Sequence, residues 1–242
     1  MAHKTLALHI YPTRRHIFFT VSLVVLPFVS LLLFSWFAHI PVRHLFGDVL
    51  LSSYRLAIAY VFAAVLGWGL AVLVVRERFA AVGLPLFDVL QSFPTFAALP
   101  LAVYVWGVSD LTIIVFLIIT IIWPIFFSVV SSLKLVRHDW QEATEIFGLR
   151  GFFYVRRFIV PVSLPGLITG SIVGLGEGWE ALVATEIIVG APRGLGAFFQ
   201  GYQHSALLTA LGIFCLLTII FVINKFVWLS LLEWSHRTLA EG

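Results

Sequence analysis

The sequence predicts an all-α integral membrane protein with six transmembrane helices in a single domain, residues 1–242. Hydrophobic residues make up 61% of the chain and charged residues only 11%, whereas charge runs near a quarter in soluble domains. Apolar runs of roughly 20 residues, long enough to cross a bilayer, recur along the sequence. Most Lys and Arg fall on one side of the resulting layout, and this bias predicts which side is cytosolic.

The six spans are predicted over residues 17–40, 51–75, 84–106, 111–133, 165–189 and 205–226. The first is too long for a signal-peptide core and lacks a small-residue cleavage site, so we expect a retained anchor. The second ends on Arg76-Glu77-Arg78, a charged stop that suits a cytosolic end. Pro94 and Pro100 interrupt the third span, which we therefore expect inside the bundle, where neighbouring helices cover the freed backbone groups.

The fifth span carries glycines at four-residue intervals and several glutamates. The stripe lets another helix approach closely and consists of Gly166, Gly170, Gly174 and Gly178. Glu177 and Glu180 fall near the predicted midplane, where a carboxylate must face a cavity, form a pair or take up a proton. Together with Glu186 they are candidates for a path through the bundle, against a structural role for each. Arg55 is a candidate partner of Glu186 or of Asp48, and the sequence does not decide between them.

The longest polar and charged interval covers residues 139–166. Asp139 and Glu142 have the spacing of a capping box that opens a short helix. Gly148 supplies a residue that can end this helix in the left-handed conformation. The interval therefore predicts a helix of two to three turns between the fourth and fifth spans.

One face of this short helix is apolar, because Trp140, Ala143 and Phe147 recur at helical spacing. We expect the helix to lie in a groove, or else at the membrane surface, where the neighbouring arginines would hold it. Pro161 and Pro165 are expected to interrupt the backbone just before the fifth span. The charge bias places the whole interval on the cytosolic side.

The same interval resembles the EAA loop of permease subunits in binding-protein-dependent ABC importers. Its pattern is EAA, three residues, G, nine residues and I-x-L-P, and the spacing matches in full. The residues at these positions are Glu142-Ala143-Thr144, Gly148 and Phe158-Ile159-Val160-Pro161. Thr144 replaces the second Ala of the pattern, Phe158 the Ile and Val160 the Leu, and these changes roughly keep size or apolarity. The stretch LPGLITG, Trp179, Glu186 and Gly194-Leu195-Gly196 are similar to the nitrate, sulfonate, taurine and bicarbonate branch. In that pattern Glu186 is more consistent with an architectural role near an outer gate.

The resemblance implies a type I ABC importer permease fold, in which the short helix is a cytosolic coupling helix within a loop at residues 138–162. The implied ATPase-docking residues are Asp139, Trp140, Glu142, Ala143, Thr144, Phe147 and Gly148. The implied partners are ATP-binding cassette ATPase subunits, which use ATP and Mg²⁺, a second permease copy or similar subunit, an extracytoplasmic solute-binding protein and membrane lipid. The implied location is a prokaryotic inner membrane, multi-pass, with both termini cytosolic.

Other functions find less support in the sequence. The lysines, Lys4, Lys134 and Lys225, lie in no GxxxxGK[ST] loop, so we expect no ATP hydrolysis and no catalytic residue in this chain. The eight histidines lack metal-ligand spacing, and residues 194–196 are expected to form a loop without a nucleotide fingerprint, so no metal, bound cofactor or nucleic-acid partner is predicted. The alternative function is a proton-coupled secondary transporter that uses Glu177 and Glu180. The substrate stays open among oxyanions, sulfonates, zwitterions and heterocycles.

Overall fold

The computed structural model describes residues 42–75, 77–136 and 146–223, together with residues 29, 36 and 144. Within these residues every regular element is a helix. The predicted first span lies outside them apart from residues 29 and 36. Asp139, Trp140, Glu142 and Ala143 also lie outside the described residues, as does the end of the predicted sixth span.

Seven helical elements position the sites discussed below. They are α1 (Val42–Val74), α2 (Glu77–Gln91), α3 (Thr95–Trp106), α4 (Asp110–Lys134), α5 (Gly151–Val189), α6 (Leu195–Gly201) and α7 (Ala206–Ile223). Helix α5 contains a first turn, Gly151–Tyr154, a π-helical segment, Val155–Ile159, and a long α-helix, Val160–Val189.

Three helices are long and apolar enough to cross a membrane: His44–Val74, Asp110–Lys134 and Gly151–Val189. A fourth crossing is formed if the pair Val82–Gln91 and Thr95–Trp106 is one broken span. An all-helical membrane protein is therefore confirmed, with three or four candidate spans in the described part. The full set of six spans stays a prediction.

Helices α1, α4 and α5 pack together as the centre of the bundle. Arg55 meets Asp110 and Gly67 approaches Ile122, so α1 and α4 run parallel. Helix α5 runs the opposite way, because Trp68 bonds to Ser163 near one end while Ser52 bonds to Glu186 near the other. The buried core between them includes Leu117, Ile121, Ile125, Phe126, Val129 and Leu182.

The glycine stripe of α5 lies against α4. A Cβ at Gly170 would stand 2.6 Å from the Ile125 Cα, and one at Gly178 would stand 2.9 Å from the Ile121 Cδ1. Both separations are shorter than van der Waals contact allows, so the two backbones approach this closely only because Cβ atoms are missing.

Prolines act differently from the sequence expectation. The third predicted span breaks only at Pro94, where the two helices meet at 79°, while Pro100 lies inside α3. The expectation that Pro161 and Pro165 interrupt the chain is wrong, since helix continues through both. The π-helical segment ends at Ile159, two residues before Pro161, and its wider turn leaves more room for the proline ring than a regular α-turn does.

The expected loop at residues 194–196 is also wrong in part. Gly194 caps a short helix, α6, that begins at Leu195. Gly194 has a φ of 125°, a conformation that side-chain-bearing residues rarely adopt. Gly194 and Gly196 both pack against the Glu186 side chain, which leaves no space for a Cβ at either position.

Candidate functional site

A buried ionic cluster joins α1, α4, α5 and the loop before α6. Its centre is Arg55, which is 4% exposed. The Arg55 Nη1 lies 2.6 Å from the Glu186 Oε1, and the Arg55 Nη2 lies 2.6 Å from the Asp110 Oδ1. The Arg55 guanidinium also donates to the Arg193 carbonyl oxygen at 2.9 Å. We call the set Ser52, Arg55, Asp110 and Glu186 the Arg55 network.

Glu186 is the fully buried carboxylate of the Arg55 network, with 0% exposure. Besides Arg55, its carboxylate accepts hydrogen bonds from the Ser52 hydroxyl at 2.8 Å and from the Gly196 N–H at 2.8 Å. The Ser52 hydroxyl in turn accepts the Leu195 N–H at 2.9 Å. A charge at such a site is tolerated only when paired and fully hydrogen-bonded, and both conditions hold.

The two glycines of the 194–196 segment make room for this carboxylate. A Cβ at Gly194 would lie 2.5 Å from the Glu186 Oε1, and a Cβ at Gly196 would collide with the Glu186 side chain and with the Val183 carbonyl oxygen. The Gly194 N–H donates to Asp48 at 3.0 Å. The segment is therefore a close-fitting cover for a buried anion.

The structure decides between the two partners that the sequence left open for Arg55. Arg55 pairs with Glu186, as one alternative held, while Asp48 binds backbone instead. Asp110 is a second partner of Arg55 that the sequence analysis did not predict. It occupies the first turn of α4 and is 62% exposed, and a carboxylate is favoured there by the helix dipole.

The glutamates considered for a path lie in three different settings. Glu177 lines an open cavity of about 400 Å³ between α4, α5 and the break after α2. Glu180 is exposed on the same helix. Glu186 belongs to the Arg55 network, which agrees with an architectural role and does not place it beside Glu177.

The helix end predicted at Gly148 is confirmed. Residues 144 and 146 are helical, Gly148 has a φ of 65° and the Leu149 N–H donates to the Thr144 carbonyl oxygen at 2.9 Å. This hydrogen bond is typical of a helix that ends in a left-handed residue, here Gly148. Thr144 is buried, whereas Phe147 is 79% exposed. Of the predicted apolar stripe, Phe147 alone falls among the described residues.

A basic and aromatic surface follows this helix end. Arg150, Arg156 and Arg157 are exposed, as are Phe152 and Phe153. The Arg157 guanidinium carbon lies 5.5 Å from the centre of the Phe153 ring, within cation–π range. The α5 end that carries this surface is opposite the end that carries the Arg55 network.

These features define a class of protein: a helical membrane protein with a break between two apolar helices, a cavity lined by aromatic and polar side chains beside the break, and an exposed apolar and basic surface at one end. Among the described residues, no three His, Cys, Asp or Glu side chains are grouped as a metal site would need.

Comparison with known proteins gives the family. Residues 59–230 match the sequence model of the binding-protein-dependent transport system inner membrane component, and the chain belongs to this family. The chain is 29% identical over 163 residues to the nitrate import permease protein NrtB of Synechocystis sp., covering 67% of this chain and 59% of that protein.

Two further relatives carry different names. The bicarbonate transport system permease protein CmpB of Synechococcus elongatus is 26% identical over 165 residues, which cover 67% of this chain and 59% of the relative. The taurine transport system permease protein TauC of Escherichia coli is 33% identical over 116 residues, 48% of this chain and 42% of the relative. The match thus spans less than two thirds of the length of each of these relatives.

Proposed function

We propose that this chain is the transmembrane permease subunit of an ATP-driven importer, and that it forms the solute path and receives force from a separate ATPase subunit. The observation that carries the proposal is the helix end at residues 144–149, which presents Phe147 outward at the start of the longest helix. Membership of a transport family supports it. The neighbouring Ile146, Phe152 and Phe153 side chains are exposed as well, and a group of exposed apolar side chains is typical of an interaction surface.

The proposed route of force follows helix α5. A movement at Phe147 reaches α5 within a few residues, because Gly151–Val189 is one continuous apolar helix. The glycine contacts with α4 make the two helices move together, since backbones this close leave no space for sliding over side chains. At the far end the Arg55 network fastens α5 to α1 and α4. In this mechanism the Arg55 network holds one end of α5 in place, and the opposite end of α5, which faces the ATPase, moves.

The proposal assigns roles to groups outside this chain. Two permease copies, or one copy with a similar subunit, would enclose the path, and a solute-binding protein would deliver cargo on the outer side. ATP and Mg²⁺ would be bound and used by the ATPase, since the chain carries no P-loop. The end with Lys134, Arg150, Arg156 and Arg157 would be cytosolic by the positive-inside rule, with both termini on that side of an inner membrane.

The cargo of this chain belongs to the proposal as well. The relatives are named for nitrate, bicarbonate and taurine. Nitrate and bicarbonate are inorganic anions, whereas taurine carries both an ammonium and a sulfonate group. A small polar solute is therefore proposed for this chain.

A photo-crosslinking experiment tests the docking role. We would replace Phe147 with p-benzoylphenylalanine in the producing cells, irradiate the membranes and identify the cross-linked protein by mass spectrometry. The expected product is a protein with a P-loop. The same probe at Tyr104, which is 88% exposed and lies near the Arg55 network end of α4, serves as the control. Cross-links from position 147 that never include a P-loop protein would refute the docking role.

A proton-coupled secondary transporter is the second candidate, because Glu177 faces a cavity. The two functions differ in their energy source. In proteoliposomes containing the complete complex, uptake that follows internal ATP and ignores an imposed proton gradient supports the importer. Uptake driven by the gradient without ATP supports the second candidate.

A further inference from the structure

The cavity beside Glu177 has a distinctive lining. Aromatic side chains form much of its wall, including Phe93 and Phe96 at the break after α2, and Trp123 and Phe127 on α4. Its volume of about 400 Å³ lies within the range of small-molecule sites. Thr95, Thr120 and Ser128 add hydroxyl groups. The cavity therefore combines flat apolar surfaces with a few polar contacts.

Glu177 is the one charged side chain among the described residues that line this cavity. It forms no ion pair with any described residue. Arg55 is engaged elsewhere, since Glu186 and Asp110 share it. Glu186 itself is nine residues further along α5, roughly 13 Å of helix rise. Among the described residues no basic side chain pairs with Glu177, so the ionised Glu177 carboxylate gives the cavity a negative charge, which repels a free anion.

The break between α2 and α3 gives a second reason to treat the cavity as a solute site. The helices α2 and α3 are separated at residues 92–94, and the residues on either side of this break, Gln91 and Thr95, line the cavity. Interrupted backbone at membrane depth is tolerated where it is covered by protein or lines a water-filled space. Broken helices are also a recurrent feature of solute sites in transporters.

From this geometry we infer that the solute received in the cavity carries a positively charged nitrogen, as an ammonium group or a protonated ring nitrogen, which pairs with Glu177. This inference rests on the proposed permease function and adds the chemical class of the cargo. The aromatic walls favour the same group, because a cation over an aromatic face is stabilised by the ring quadrupole. Inorganic anions, which lack a cationic group, are repelled by the Glu177 carboxylate at this position.

A thiol-labelling experiment measures the charge preference of the cavity. The full chain is purified in an uncharged detergent with Cys215→Ser, which removes its single cysteine, and Thr120→Cys, which places a reporter in the wall. Modification rates are measured with the cationic reagent 2-(trimethylammonium)ethyl methanethiosulfonate and with the anionic reagent 2-sulfonatoethyl methanethiosulfonate. Each rate is divided by the rate of the same reagent with a free thiol in solution.

We expect the normalised rate of the cationic reagent to exceed that of the anionic one by about tenfold or more. Glu177→Gln should bring the ratio to within about twofold of one. Glu180→Gln is the comparison variant, because Glu180 lies on the same helix outside the set of lining residues. Its charge acts on Glu177 through space, so its removal should lower the preference by less than Glu177→Gln does. Thr95→Cys repeats the measurement from another wall, and size-exclusion profiles establish that each variant is folded.

A ratio near one in the parental protein, or a preference that Glu177→Gln leaves unchanged, overturns the inference. The labelling needs no ATPase, so its result is independent of the docking test. Cross-linking to a P-loop protein with no charge preference would refute the cargo class alone. A clear charge preference with no P-loop cross-link would refute the importer alone.

Discussion

Replacing Glu186 with glutamine should destabilise the protein strongly although the side chain keeps its shape. Every group around the carboxylate donates: the Ser52 hydroxyl, the Arg55 guanidinium and the Gly196 N–H. An amide has one oxygen and one NH₂ group, so in either orientation glutamine turns its NH₂ toward a donor. The Arg55 charge also loses its fully buried partner.

The size of the effect follows from the burial of the pair. Removing one member of a buried ion pair costs about 3–5 kcal/mol. Asp110 retains a contact with Arg55 but is more than half exposed, so solvent screens its attraction to the Arg55 charge. We therefore expect Glu186→Gln to lower the free energy of unfolding by about 3 kcal/mol, near the lower end of that range.

The assay is unfolding in mixed micelles titrated with sodium dodecyl sulfate, followed by the fluorescence of the tryptophans. Glu180→Gln, the same change at an exposed position of α5, should stay within about 0.5 kcal/mol of the parental protein. Arg55→Met with Glu186→Leu should lose less than the sum of the two single variants, by about 1 kcal/mol or more, because the second change removes the charge that the first left alone. A Glu186→Gln variant as stable as Glu180→Gln would refute the buried pair.

Two further predictions concern glycines. Gly170→Ala should destabilise the bundle by about 1–3 kcal/mol, since its Cβ would meet the Ile125 backbone. A Cβ at Gly176, on the same helix, would meet open space, so Gly176→Ala should be neutral or stabilising by up to about 1 kcal/mol. Equal effects of the two changes in the same unfolding assay would contradict the close packing of α4 and α5. Gly148→Ala should weaken the helix end by about 1–2 kcal/mol, because alanine is strained at the φ of 65° that Gly148 adopts. Limited proteolysis would detect this weakening as faster cleavage near residue 148 than in the Gly176→Ala reference.

Local features were predictable from the sequence where neighbouring residues alone decide them. The four-residue spacing of the α5 glycines forces one stripe on a helix, and the structure places that stripe against α4. Gly148 follows a polar helix sequence and ends it in the left-handed conformation, as predicted. These outcomes depend on backbone geometry over a turn or two, which the local sequence specifies.

Predictions failed where the surroundings of a residue determine its effect. Pro94 breaks the chain, while Pro165 continues a helix, although both precede apolar runs. Pro85, Pro100 and Pro124 also lie inside helices. Whether a proline ends a helix therefore depends on how the surrounding structure packs, which the sequence pattern does not show. The helix at residues 195–201 was missed for a related reason, because its first residues are held by Ser52 and Glu186 from distant parts of the chain.

The sequence by itself determined that this protein is a bundle of membrane helices with a polar interval before the fifth predicted span, because the hydrophobic content and the lengths of the apolar runs leave no other class. Only the tertiary structure decided which carboxylates meet Arg55 and which glutamate faces a cavity. Arg55 and Glu186 are 131 positions apart, and their contact depends on the register of three packed helices. A shift of one helix by a single turn, about 5.4 Å, would separate them, so the pairing is a property of packing that no local pattern encodes.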